Sequence, residues 1–264
     1  MADDLQSYYR DHWLNVEEER MARYEAMFQW RDGYEALITP AAVGQGQVVA
    51  DYGCGPGGLA VELARRVGPS GRVLAVDINA DFLARTRALC DAQGLGDRVD
   101  TRLMEGEQIP IEDGSVDRVL CKNVLEYVPD PEATVGEFHR IVKPGGIVHV
   151  SDSDWGGVVL EPLGERFTRL MSAASVAFRT PLIARRLYGI FRRAGFTDIR
   201  VQVMANADIG GGLRGVITNM ASYARTSGKI GEAEITAFLA DVDRAVEEET
   251  FFALLPQFLV TGRR

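Results

Sequence analysis

At 264 residues and 46% hydrophobic content, the chain is long enough for one large domain with elaborations, or for a core domain carrying a small subdomain. Its 29 basic and 38 acidic residues give a net charge of -9, the wrong sign for neutralising phosphate backbones, so a nucleic-acid substrate is disfavoured. No basic segment leads into an apolar one at the start, no run of about 18 apolar residues occurs, and Cys54, Cys90 and Cys121 are odd in number in interior-looking segments, which together read as a cytoplasmic, disulfide-free protein without a membrane span.

Residues 5–36 mix charge with Tyr8, Tyr9, Trp13, Tyr24, Phe28 and Trp30, the pattern of amphipathic helices, and Pro40 and Gly44 end this leader. The periods then alternate between strand and helix. Val48 to Asp51 reads as a first strand and Leu59 to Val67 as its helix; Arg72 to Asp77 and Ala80 to Gln93 repeat the pair. Val99 to Met104 and Val116 to Cys121 are the third and fourth strands, Asp130 to Val142 is helical, and Ile147 to Asp152 is the fifth strand. These strands are apolar at nearly every position, as expected where helices cover both faces of a parallel sheet. Past Asp152 the alternation breaks into small and aromatic residues that suggest an insertion over the sheet edge. Ile183 to Ala194 is helical, Thr197 to Met204 alternates as a sixth strand, Gly210 to Gly212 opens a helical stretch, Glu232 to Glu249 is amphipathic, and Phe258 to Thr261 is a last strand.

The motif that carries chemistry is DYGCGPGG, Asp51 to Gly58, between the first strand and its helix. Strand, glycine turn and helix N-terminus together present backbone N–H groups to a ligand. Glycine admits positive φ and leaves no Cβ in the ligand's way. Gly53, Gly55 and Gly58 satisfy the dinucleotide fingerprint, with Asp77 placed for a ribose. Asp51, two residues before Gly53, satisfies a different one.

With that acid, DYGCGPGG resembles the first motif of class I S-adenosylmethionine-dependent methyltransferases. LAVDINADFL (Leu74 to Leu83), the segment Arg102 to Pro131, IVKPGGIVHVSDSDW (Ile141 to Trp155) and the terminal QFLVTGRR resemble the family's later strands and turns, in the family's order. The resemblance implies an α/β, Rossmann-like, doubly wound sheet of seven mostly parallel strands in order 3-2-1-4-5-7-6, the last antiparallel. It implies a methyltransferase domain over residues 41–264, a helical lid over 1–40, and substrate-selecting helical insertions at about 156–190 and 205–250. It further implies S-adenosyl-L-methionine as cofactor and methyl transfer to an N, O or C nucleophile of a small metabolite or natural-product intermediate. A macromolecular methyltransferase is the nearest alternative; a nicotinamide dehydrogenase and an inactive cofactor-binding protein are the others.

For the cofactor, the resemblance assigns Asp51, Gly53, Cys54 and Gly55 to the turn, Asp77 to the ribose hydroxyls and Ile78 to the adenine face. Glu105 and the Gly106 N–H fall to the adenine edge, with Glu107 a rival for Glu105. Asn123 either touches the methionine part or only forms a turn. A hydroxyl or phenol nucleophile calls for a base, for which His12, Tyr127 and Asp152 are the candidates. Tyr127 stands where many relatives carry a histidine, and Asp152 alternatively caps its strand. His149 reads as a satisfied interior group. No metal is expected, and a homodimer is left open.

Overall fold

The computed structural model describes residues 12–264; Tyr8, Tyr9 and Arg10 of the aromatic cluster lie outside it. Helix α1 (Glu18–Met27) and the short α2 (Glu35–Ile38) precede strand β1 (Val48–Tyr52). There follow α3 (Gly58–Val67), β2 (Arg72–Asp77), α4 (Ala80–Ala92), β3 (Val99–Leu103), β4 (Val116–Lys122), α5 (Pro131–Ile141) and the long β5 (Val142–Ser153). The second half runs β6 (Val159–Glu161), α6 (Gly164–Ala174), α7 (Ile183–Arg193), β7 (Thr197–Met204), α8 (Arg214–Ser227), α9 (Glu232–Glu247), β8 (Phe252–Leu254) and β9 (Gln257–Arg263).

Seven strands form one sheet in the order β3-β2-β1-β4-β5-β9-β7. Neighbours from β3 to β5 are parallel, and β9 is antiparallel to both β5 and β7. Counting only the strands of this sheet, that is the expected 3-2-1-4-5-7-6. The strands of its centre are buried on both faces, with Val49, Val73, Val76, Val119, Val148 and Val150 inaccessible to solvent. Asp51, Asp77, Lys122 and Ser153 all fall at the carboxyl ends of parallel strands, the edge at which open α/β sheets bind ligands.

The insertions show two features that the sequence pattern did not reveal. They do not cover the sheet separately: Leu160, Phe167 and Leu170 from the first pack with Met220, Tyr223 and Phe238 from the second in one further apolar core. Helix α7, which the sequence places partly within the first insertion, packs on the main core instead, through Ile183, Leu187, Ile190 and Phe191. The ribbon of β6 and β8 ties the first insertion to the segment just past the second; three-residue strands are too short for a period-2 pattern to reveal.

The leader is pinned where the first two strands end. Asn79 accepts from Asp81 N and Phe82 N, which caps α4, and its Nδ2 donates to Trp13 O at 2.7 Å. Arg85 on α4 binds Glu18 and Glu25 of α1 at 2.9 and 2.7 Å. His149 behaves as read: buried, it donates from Nε2 to Leu37 O at 2.6 Å and accepts from Thr261 Oγ1 at 2.9 Å, and burial lowers its pKa to about 4.

Candidate active site

A cavity of about 1460 Å³ lies over the carboxyl edge of the sheet, walled by the glycine turn, the leader and the insertions. The turn is left-handed at Gly53 (φ 71°), Gly55 (φ 53°) and Gly57 (φ 95°). Only Gly55 keeps open space for a ligand, its nearest neighbour being the Phe28 ring at 3.9 Å from a built Cβ. A Cβ at Gly53 would stand 2.4 Å from Val124, at Gly57 2.8 Å from Thr86, and at Gly58 2.1 Å from Phe28 O. The close approach read from the sequence as room for a ligand is therefore largely room for protein: the β4 loop, α4 and the leader's backbone.

Two carboxylates frame the turn. Asp77 accepts from Gly55 N (2.9 Å) and Asn79 N (3.0 Å), which ties the turn to the end of β2, and burial raises its pKa to about 6. Asp51 is 1% exposed, its Oδ2 has no partner, and its pKa is raised to about 7, first by burial and then by Asp77, with Lys122 pulling the other way. Thr86 braces the turn from the far side by donating to Gly55 O at 2.8 Å. Ile78 and Leu103 expose apolar surface in the same cavity, and Glu105, Gly106 and Glu107 follow along its rim. Glu105 and Glu107 both remain open to the role given to an acid there. Asn123 has φ 53°, so it does form the turn; its Oδ1 accepts from Ser153 Oγ at 3.3 Å, and it lines the cavity too. Cys54 lines the cavity with its thiol pushed up by burial.

The three candidate bases fare differently. Asp152 is fully buried, accepts from Leu125 N (3.0 Å) and Ser153 N (3.1 Å), and does not line the cavity; it braces the β4 loop, and the expectation of a substrate contact is corrected. His12 also stands outside the cavity lining. Arg20 donates to its Nδ1 at 2.7 Å, leaving the proton on Nε2, which faces the Tyr223 and Tyr24 hydroxyls at 3.3 and 3.4 Å. Burial, then Arg20 and Arg23, lower its pKa to about 3, so no lone pair is left to act as a base. Tyr127 does line the cavity, edge-on to Trp13 at 4.7 Å and stacked with Phe178 at 5.6 Å. Burial and then Glu126 push its phenol well above its ordinary value, so it offers a ring and a protonated hydroxyl rather than a base.

Glu126, passed over in the sequence as one acid among many, is 2% exposed on the cavity wall and accepts from the Trp155 indole. Its signal was present: an acid between Leu125 and Val128, in a turn directly after a buried strand. Among the described residues, no group of three or more His, Cys, Asp or Glu is placed to hold a metal, and no helix is long and apolar enough to cross a membrane.

An orphaned buried carboxylate oxygen, an open glycine and an acid at the end of β2, all at the edge of a 3-2-1-4-5-7-6 sheet, define the class I methyltransferase architecture. Residues 50–150 match the methyltransferase domain family, and the sheet has the Rossmann-like methyltransferase fold. It is similar to the ubiquinone/menaquinone biosynthesis C-methyltransferase UbiE of Hahella chejuensis, 35% identical over 109 residues, 41% of this chain and 44% of the relative. It is also similar to the arsenite methyltransferase of Halobacterium salinarum, 32% identical over 112 residues, 42% of this chain and 28% of the relative. The chain thus spans less than half the length of these curated relatives. The geranyl diphosphate C-methyltransferase of Streptomyces coelicolor A3(2), solved with Mg2+, geranyl diphosphate and S-adenosyl-L-homocysteine, shares the fold at a TM-score of 0.58 and 16% identity, with 99% of this chain and 97% of that one covered.

Proposed function

We propose that the protein transfers a methyl group from S-adenosyl-L-methionine to a small molecule, and that it works in the cytoplasm without a nucleic-acid partner. The observation that carries this is Asp51 Oδ2, a buried carboxylate oxygen with no protein partner on the wall of the cavity. Leaving such a group unsatisfied costs about 1–3 kcal/mol or more, and a ligand with a cationic, N–H-bearing end relieves that cost. Nicotinamide dinucleotides bring phosphates to this turn instead, which would face Asp51 and Asp77 as like charges.

The remaining residues divide the work. Asp77, fixed by the Gly55 and Asn79 N–H groups, keeps lone pairs for ribose hydroxyls. Ile78 and Leu103 offer apolar faces for the adenine, and Glu105 or Glu107 with the Gly106 N–H its polar edge. The sulfonium supplies an electrophilic methyl group when bound. The protein's part is alignment and exclusion of water, for which the leader serves as lid, with Trp13, Tyr24 and Phe28 on the cavity wall. Alignment supplies on the order of 7–11 kcal/mol, against about 3–5 kcal/mol from a general base. Loss of His12 and Asp152 as bases therefore leaves the activity intact.

Thermal stabilisation tests this directly: S-adenosylmethionine raises the melting temperature and NADH does not. Stabilisation by NADH alone would overturn it.

A further inference from the structure

Beyond the glycine turn the cavity continues toward the insertions, and three polar groups there present acceptor oxygens to it. Glu126 is held from three sides: the Trp155 indole donates to Oε2, the Tyr127 side chain bonds the same carboxyl group, and its backbone carbonyl accepts from Arg179 N and Thr180 N, both at 3.0 Å. Asn219, 5% exposed on α8, spends its Nδ2 on Tyr223 and leaves Oδ1 without a partner. Gln257 at the start of β9 spends its Nε2 on Ser153 Oγ at 2.7 Å and likewise leaves Oε1 alone. All three line the cavity.

These groups turn two unpartnered amide oxygens and a carboxylate toward the cavity, each amide having one further N–H besides the one it spends. A hydrocarbon placed against them would strand buried acceptors, and an anion would meet a carboxylate. Among the described residues, Lys122 and Arg179 are the cations on the same wall. Lys122 sits against the Tyr34 ring at 4.9 Å with Asp51, Asp152 and Glu126 around it, and Arg179 takes part in a further interaction of its own. Trp13, Tyr127, Met220 and Leu213 complete an apolar surround.

Resting on the methyl transfer proposed above, we propose that the acceptor is a protic nucleophile, an amine or hydroxyl carried on an apolar ring-sized body, and that Glu126 receives its proton. The O–H or N–H bond breaks and the proton passes to a Glu126 oxygen. The electron pair left on oxygen or nitrogen forms the bond to the methyl carbon, while the C–S bond breaks and its electrons stay on the sulfur. With a hydroxyl nucleophile, one positive and one negative charge are replaced by three neutral groups: ether, thioether and a protonated carboxyl in place of the alcohol, sulfonium and carboxylate, with the proton accounted for. Such annihilation of charge is favoured in a dry, low-dielectric cavity. Burial already pushes the Glu126 carboxyl well up, with Asp152 adding to the shift and Trp155, Tyr127 and Lys122 opposing it, so the group is a stronger base than an ordinary glutamate.

The test uses the protein saturated with S-adenosylhomocysteine and three probes differing in one terminal group: 2-naphthylmethanol, 2-naphthylmethylamine and 2-ethylnaphthalene, titrated by calorimetry. The alcohol and the amine are expected to bind at least about tenfold more tightly than the hydrocarbon. E126L erases that preference; E126Q, which keeps a carbonyl acceptor but takes no proton, retains the alcohol's and loses the amine's. S-adenosylhomocysteine affinity stays the same in all three proteins, which also certifies the variants' folds. Equal binding of the hydrocarbon, failure of the alcohol and amine to bind, or a preference surviving in E126L would overturn the assignment. Failure of S-adenosylhomocysteine itself to bind would instead strike the proposed methyl transfer.

Discussion

The two ends of the cavity are built by different means. At the cofactor end, Asp51, the glycine turn, Asp77 and Ile78 come from two consecutive strands and the turns after them, and parallel pairing of β1 with β2 sets their positions. At the other end, Glu126, Trp155 and Gln257 lie at the ends of the neighbouring strands β4, β5 and β9, and their side chains meet Asn219 of the second insertion through packing against the insertions' shared core. One end is fixed by backbone geometry, the other by side-chain packing. The first therefore tolerates little change at a few positions, and the second can be altered at many.

Asp77→Ala should have the largest effect. It removes the acceptor for Gly55 N and Asn79 N as well as for a ribose, so cofactor affinity should fall by about a hundredfold or more in calorimetry, charge-assisted bonds being worth about 1.5–3 kcal/mol each. If affinity fell less than about threefold, the contrast between a rigid cofactor end and an adaptable acceptor end would lose its basis.

A smaller effect is expected from Gly58→Ala, which sharpens the comparison at the seam between turn and leader. The new Cβ would meet Phe28 O at 2.1 Å, too close for the leader's backbone to stay where it is. The sheet should remain folded while the leader becomes open to limited proteolysis and cofactor affinity weakens by about tenfold, the contribution of a water-excluding cover. An unchanged cleavage pattern would mean that the leader does not depend on this contact.

The same contrast explains what could be read in the sequence. The cofactor end was legible because its signals are local: apolar strands, acids at the strand ends and glycines between them lie within about thirty residues, where period and turn chemistry speak directly. The sheet order followed from the family resemblance. The acceptor end was not legible, since α6 and α8 each show an amphipathic pattern that says a face is covered but not by what. Glu126 looked like any acid beside a proline turn until burial set it apart. His12 and Asp152 were chosen by residue type, and neither could be rejected before Arg20 was seen donating to one and the Leu125 and Ser153 N–H groups to the other. Even the glycines were only half understood, because what lies against Gly53, Gly57 and Gly58 is protein.

The central claim is that Asp51 waits for the cationic end of S-adenosylmethionine, and proton linkage tests it. With a pKa raised to about 7, Asp51 holds a proton in the ligand-free folded protein where the unfolded chain does not. That contribution to stability is fully present at low pH and is lost as the pH rises from the unfolded value through about 7. A cationic ligand favours the carboxylate, so its binding expels the proton and strengthens as the pH rises toward 7. The decisive measurement is calorimetric titration of S-adenosylmethionine at about pH 6.5 in two buffers of different ionisation enthalpy. The account predicts one saturable site per chain with release of about half a proton or more, abolished in Asp51→Asn. Binding without a buffer-dependent heat, or no binding at all, would contradict it.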